Sequence, residues 1–197
     1  MVTDTLQNHD NHHHDHSGTN NALFGFWLYI MTDCILFATL FTVFIVLSKV
    51  FPGYAFDMNL VMTETMILLT SSFTMGLAII YMHKKQQKAL LFFLFVTFLL
   101  GASFILLEIK EFMHLIHEGN SFSKNAYFSS FFALVSTHGL HVTVGLLWIA
   151  LLFIQIIIRG ITALNTKKLL LLSLFWHFLD IIWIFVFSIV YLIGGGV

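Results

Sequence analysis

The sequence has few charged side chains, one cysteine and one proline. Charged residues make up 10% of the 197 residues and hydrophobic residues 58%, whereas soluble domains carry roughly 25% charge. A soluble core of this size could not hold so much Leu, Ile and Phe, so the composition predicts a membrane protein. The net charge of −1 gives no reason to expect nucleic-acid binding. A single cysteine, Cys34, excludes an internal disulfide and a thiolate metal cluster.

Long apolar runs cover most of the chain after residue 22. They lie at about 23–48, 60–82, 89–110, 127–158 and 169–193. Each reaches the ~20 residues that a helix needs to cross a ~30 Å hydrocarbon layer, and an open sheet cannot satisfy its backbone in lipid. The pattern predicts an all-α polytopic membrane protein, a five-transmembrane-helix bundle over 23–197. A polar, His-rich tail, 1–22, precedes it, and we expect that tail to be disordered.

Lysine and arginine residues between the runs predict the orientation in the membrane. With the N-terminus inside, six fall on the inner side, namely Lys84, Lys85, Lys88, Arg159, Lys167 and Lys168, and three on the outer side, namely Lys49, Lys110 and Lys124. Because positive charge accumulates on the cytoplasmic side, we expect a cytoplasmic N-terminus and a periplasmic C-terminus.

The tail contains the stretch "NHDNHHHDHSG", with five histidines and two aspartates. Such a tract can bind Zn²⁺ or Cu²⁺ weakly. The low hydrophobicity of the segment favours a solvated tail without a specific metal function.

Buried polar side chains recur at similar depth in three of the predicted spans. They are Asp33, His138, His141, His177 and Asp180. A charged aspartate at the centre of a membrane helix costs about 2.5–3.5 kcal/mol on insertion scales, so these groups require partners. One interpretation is a structural polar network that fixes helix register. Contact with lipid or a partner subunit, proton handling and haem ligation are the alternatives.

Three carboxylates form a second polar layer near the predicted outer side: Glu64, Glu108 and Glu111. Glu108 and Glu111 are three residues apart and share a helix face. Solvation at the interface is the simplest interpretation. The carboxylates could also share a proton, pair with Lys110 or meet a cationic lipid headgroup.

The sequence contains no nucleophile elbow, phosphate-binding loop or CxxCH motif. We therefore predict no catalytic residue, and haem ligation stays open at this point. Two alternatives use the buried polar groups. The chain could be a self-sufficient membrane cytochrome in which His138 or His141 opposes His177, or a small proton carrier running through Asp33 and Asp180.

Four segments give the chain a resemblance to a known family: "FGFWLYIMTDCILFATLF", "LLGASFILLEIKEF", "SSFFALVSTHGLHVTVGLLWI" and "SLFWHFLDIIWIFVFSIVYLIG". They resemble subunit III of the haem-copper respiratory oxidases across most of 24–194. The most specific motifs are HGLHV, followed by Gly145, and WHFLDIIW. In order, spacing and number of spans the chain is similar to the five-helix subunit III of the bacterial cytochrome bo-type ubiquinol oxidases.

The resemblance implies a non-catalytic role in a proton-pumping complex of the bacterial inner membrane. That complex oxidises ubiquinol and reduces O₂ to water, and its haem and copper lie in subunit I. The resemblance therefore implies that His138, His141 and His177 are not metal ligands and that this chain has no cofactor-binding or metal-ligating residue. Subunit III supports assembly, stability and proton uptake, with subunit I, the other subunits and phospholipid as partners. In the family, an acidic residue lines a lipid-holding cleft, and Asp33 matches its position in "MTDCILF". By the same resemblance, Asp33, His141 and Glu108 are the expected lipid contacts.

Overall fold

The computed structural model describes residues 3–49, 58–117 and 126–193, with side chains from residue 23 to residue 191 of these ranges. The helices are α1 (Thr3–Ser48), α2 (Met58–His83), α3 (Gln87–His117), α4 (Ala126–Arg159) and α5 (Ala163–Val186), and a π-helical segment (Phe187–Ile193) continues α5. The described part of the chain contains no strand. The predicted all-α class is therefore confirmed.

Five helical segments are long and apolar enough to cross a membrane: Leu23–Ser48, Met58–His83, Gln87–His117, Ala126–Arg159 and Ala163–Tyr191. They correspond one to one with the predicted spans, because each apolar run has the length that hydrocarbon demands. The third segment ends at His117, beyond the predicted limit of 110. The domain division at residue 22 and the orientation in the membrane stay predictions, and the side chains of the tail and Lys124 lie outside the described residues.

The fifth helix begins at Ala163, six residues before the predicted start. Gly160 ends the preceding helix with a positive φ of 69°, and its N–H donates to the carbonyl oxygen of Ile156 at 3.0 Å. This is the left-handed helix end that glycine favours. Thr162 then caps α5, because its hydroxyl accepts from the N–H of Asn165 at 3.3 Å. The stretch "RGITALNTKK" is thus a short turn followed by helix.

The chain divides into two compact units within α1, between Leu36 and Phe37. The first unit is the N-terminal part of that helix. In the second unit α5 packs on α2 and α4, and α3 packs on α2 and α4. The last turns of α1 belong to the second unit, where Phe41 lies 6.4 Å from the ring of Phe185 on α5 and Phe44 lies 5.4 Å from the ring of Tyr127 on α4.

The indole of Trp176 on α5 fills a narrow slot between two glycines of neighbouring helices. A Cβ atom on Gly101 of α3 would lie 2.9 Å from Trp176 Cη2 and 2.8 Å from a methyl group of Leu146. A Cβ atom on Gly145 of α4 would lie 3.0 Å from Trp176 Cζ3. Small residues allow membrane helices to approach closely. Here they let three helices meet around one large ring.

Candidate functional site

The polar side chains of α2 face α5 along one line of hydrogen bonds. Trp176 Nε1–H donates to Ser71 Oγ at 3.0 Å, and Trp183 Nε1–H donates to Thr65 Oγ1 at 3.2 Å. The higher-numbered residue of α5 meets the lower-numbered residue of α2, so the helices run in opposite directions. Each bond satisfies an indole N–H that hydrocarbon would leave without an acceptor.

Ser72 joins His177 and Asp180 in a hydrogen-bonded chain between the same helices. Ser72 Oγ and His177 Nδ1 are 2.6 Å apart, and Ser72 also hydrogen-bonds Asp180. A serine hydroxyl carries one proton, so Ser72 donates to one neighbour and accepts from the other. The remaining Asp180 oxygen, Oδ1, is buried without a hydrogen-bond partner in the described part of the chain. The pair in WHFLDIIW therefore has its partner on α2.

His138 lies away from that chain, enclosed by aromatic rings. Its ring centroid is 5.1 Å from Trp183, 5.9 Å from Phe104 and 6.4 Å from Phe37. The residue is fully buried, and neither ring nitrogen has a hydrogen-bond partner among the residues that the structure describes. Aromatic rings therefore surround His138, whereas His177 pairs with Ser72.

His141 and Asp33 have partners of their own. His141 Nδ1–H donates to the carbonyl oxygen of Thr137 at 2.8 Å, and its ring lies 5.4 Å from Phe37. Asp33 belongs to the first unit, where it hydrogen-bonds Tyr29 one helical turn earlier. Of the five inner polar residues predicted to share a layer, the structure joins His177 and Asp180 through Ser72. The network role of the whole set stays a prediction.

The three carboxylates predicted near the outer surface lie in the interior of the second unit. Glu64 is fully buried and Glu108 is 4% exposed. Glu64 and Glu108 each lie within electrostatic range of Glu111, which accepts a hydrogen bond from the hydroxyl of Tyr191 at 3.1 Å. Solvation at the interface therefore does not describe these groups.

Gly139 makes room for one of these carboxylates. A Cβ atom at this position would lie 2.5 Å from Glu108 Oε1. Both oxygens of Glu64 and Oε2 of Glu108 have no hydrogen-bond partner within the described ranges. Three ionised carboxylates cannot share such a site without a compensating cation, because each would lose its hydration. Among the described residues, no group of three or more His, Cys, Asp and Glu has the arrangement of a metal site.

The hydroxyl residues of α2 that hold α5 were not predicted from the sequence. Thr65 and Ser71, which accept from Trp183 and Trp176, are six residues apart in "TETMILLTSSF", whereas the two indoles are seven residues apart on α5. Hydroxyl residues are frequent in this stretch, so spacing alone does not indicate which hydroxyl meets which indole.

We expect Asp180→Leu to weaken the α2–α5 contact and Asp180→Asn to preserve it. Asparagine keeps a hydrogen-bonding group for Ser72. Leucine removes this partner from the chain of Ser72 and His177, and a buried polar group left without a partner lowers the stability by about 1–3 kcal/mol. The thermal stability of the purified chain in detergent measures both. A leucine variant as stable as the unsubstituted chain would show that this hydrogen-bonded chain does not fix the helices.

The chain is similar to known proteins along most of its length. Residues 3–195 match the family model described as cytochrome c oxidase subunit III. The chain is 52% identical over 192 residues to the cytochrome bo(3) ubiquinol oxidase subunit 3 of Pseudomonas aeruginosa, covering 95% of this chain and 91% of that protein. The chain belongs to the cytochrome c oxidase subunit III family. It is also 45% identical over 185 residues to the quinol oxidase subunit 3 of Bacillus subtilis, covering 91% of this chain and 90% of that protein.

Membership of the subunit III family confirms the resemblance that the HGLHV and WHFLDIIW motifs indicated. The family is the non-catalytic subunit III of the haem-copper oxidases, and the chain is a multi-pass membrane protein. Both motifs lie at helix contacts. His138 and Gly139 face Trp183 and Glu108, while Trp176 and His177 bond to Ser71 and Ser72.

Proposed function

We propose that this chain is the non-catalytic subunit III of a proton-pumping, cytochrome bo-type ubiquinol oxidase. The observation that carries the proposal is the 52% identity to a ubiquinol oxidase subunit 3 over nearly the full length of both chains. Further support comes from 45% identity to a quinol oxidase subunit 3. The complex oxidises ubiquinol and reduces O₂ to water in the bacterial inner membrane. We place the N-terminus of the chain in the cytoplasm and its C-terminus in the periplasm.

The polar side chains support a structural role for this chain rather than a redox role. Ser72, His177 and Asp180 bond one another, and aromatic rings enclose His138. Haem and copper then lie in subunit I, and this chain holds no cofactor of its own. Its helices support assembly of subunit I with the other subunits and sustain proton uptake.

Phospholipid binding is part of the same proposal, with Asp33 and His141 as the contacting residues. His141 is half-buried, so one side of its ring can meet a lipid. Glu108 was the third residue that the sequence predicted for this role. Because Glu108 is enclosed against Gly139, we assign it to the interior carboxylate cluster instead.

Removal of this chain tests the proposal. We expect an oxidase purified from cells that lack it to retain its haem content and its initial rate of ubiquinol oxidation. The same preparation should lose activity severalfold faster during continuous turnover, because proton uptake is no longer sustained. Loss of a haem, or an initial rate near zero in an otherwise assembled complex, would contradict a non-catalytic role.

A further inference from the structure

Glu64 is a fully buried carboxyl group on α2 that faces two other carboxyl groups. It is 0% exposed, and neither of its side-chain oxygens meets a hydrogen-bond donor among the residues that the structure describes. Glu108 and Glu111 of α3 lie within electrostatic range of it. All three residues belong to the second unit. Glu64 therefore completes an interior site for which the mechanism proposed above has no use.

The walls of this site are shaped around the carboxyl groups. Gly139 of α4 leaves space where a Cβ atom would lie 2.5 Å from Oε1 and 2.7 Å from Oε2 of Glu108. Tyr191, in the π-helical segment that continues α5, donates its hydroxyl to Glu111 at 3.1 Å. Three helices and the π-helical segment thus contribute to one enclosed polar site, which is more than a chance grouping of acidic residues on a single helix face.

The hydrogen-bonding capacity of the site indicates how many protons it holds. An ionised carboxylate only accepts hydrogen bonds, whereas a protonated carboxyl group also donates one. The hydroxyl of Tyr191 is a donor, but it is directed to Glu111. If Glu64 and Glu108 were both ionised, three of their oxygens would have no donor within the described ranges. A proton on each group supplies a donor where the site lacks one.

The electrostatics of the site lead to the same protonation state. An ionised carboxylate in the interior loses its hydration, and like charges that share a site oppose each other's ionisation. Glu111 acts on both Glu64 and Glu108 as a like charge. His138, which adjoins Gly139 on α4, is fully buried without a hydrogen-bond partner in the described part of the chain. A positive charge on His138 would therefore also be costly.

We propose that Glu64 and Glu108 form an internal proton-binding site, in which each is a neutral carboxylic acid at neutral pH and Glu111 connects them to the surroundings. The exposed fraction rises from 0% at Glu64 to 4% at Glu108 and 9% at Glu111. Glu111 also lies three residues closer to the end of α3, or about 4.5 Å along the helix. Protons therefore exchange by way of Glu111. The site lies within this chain, so it does not depend on the function proposed above.

The infrared spectrum of the purified full-length chain tests the site directly. The sequence contains four glutamates, namely Glu64, Glu108, Glu111 and Glu118, so a ¹³C label in the glutamate carboxyl groups distinguishes their bands from those of aspartate. At neutral pH we expect the label to shift bands from at least two protonated glutamate carboxyl groups. A spectrum in which every glutamate is ionised would overturn the proposal, and this measurement needs no variant.

Single substitutions assign the bands to residues. Glu64→Gln and Glu108→Gln should each remove one band, because glutamine has a similar shape and carries no acidic proton. Gly139→Ala should shift the Glu108 band alone, since its Cβ atom would press on that carboxyl group. Glu118→Gln is the control and should leave both bands in place. Survival of both bands in Glu64→Gln and in Glu108→Gln would overturn the proposal.

Transfer of the labelled chain into D₂O tests the exchange route. We expect the Glu108 band to move to its deuterated position before the Glu64 band. Glu111→Gln keeps an acceptor for Tyr191 but cannot carry a proton, so it should slow both shifts severalfold and leave both bands present. If Glu111→Gln exchanges as fast as the unsubstituted chain, Glu111 does not connect the site to the surroundings, and that part of the proposal is overturned.

Discussion

Replacing Trp183 with alanine is expected to destabilise the chain more than any other single truncation. The indole is fully buried, stands edge-on to Phe104 at 4.7 Å, covers His138 at 5.1 Å and bonds to Thr65. Removing a buried tryptophan costs about 3–5 kcal/mol in soluble cores. Thermal denaturation of the purified chain in detergent measures the loss.

Two variants separate packing from hydrogen bonding at this position. Trp183→Phe keeps a ring against Phe104 but removes the donor to Thr65, so we expect a loss of about 1 kcal/mol for the bond in addition to a smaller packing loss. Trp27→Ala is the control for a lost tryptophan, because Trp27 is 51% exposed. If Trp183→Ala and Trp27→Ala denature at the same temperature, Trp183 is not part of the core that we describe.

The second large effect is expected at Gly101, where the slot for Trp176 leaves no room. A methyl group at this position would lie 2.8 Å from Leu146 and 2.9 Å from the indole of Trp176. The rigid ring is held between Gly101 and Gly145, so it cannot turn away. Overpacking of this kind costs about 1–3 kcal/mol of stability. We expect Gly101→Val to destabilise the chain more than Gly101→Ala, as measured by thermal denaturation in detergent.

The same slot offers a rescue experiment. Combining Gly101→Ala with Trp176→Phe should recover part of the stability lost by Gly101→Ala, because the smaller ring leaves space for the methyl group. Gly25→Ala is the control, since a Cβ atom there has no neighbour within 4 Å. Close packing of Trp176 on Gly101 would be contradicted if Gly101→Ala were as stable as Gly25→Ala. It would also be contradicted if the double variant recovered no stability.

The number and approximate limits of the spans followed from composition because hydrocarbon imposes length and apolarity on each helix. The start of α5 did not follow, because Thr162, Asn165 and Gly160 form a turn inside a stretch whose charges resemble a loop. Apolar periodicity is weak when most helix faces meet lipid or other apolar side chains. The sequence therefore did not determine which side of each helix packs against the other helices.

The polar groups were found by their chemistry, and their partners were not. His177 and Asp180 stood out because both are costly in hydrocarbon, while Ser72 is an ordinary serine in an apolar run. Depth estimates placed His138 beside that pair, but depth does not determine which face of a helix a residue occupies. The enclosure of Glu108 depended on Gly139 of another helix, which no pattern within α3 indicates.

An optical and metal assay of this polypeptide, expressed alone and beside the complex that purifies with it, tests the central claim most directly. The account predicts a chain free of haem and metal that co-purifies with a haem-containing ubiquinol oxidase. A stoichiometric haem on the isolated chain would contradict it, and His177 would then require a new interpretation as an iron ligand.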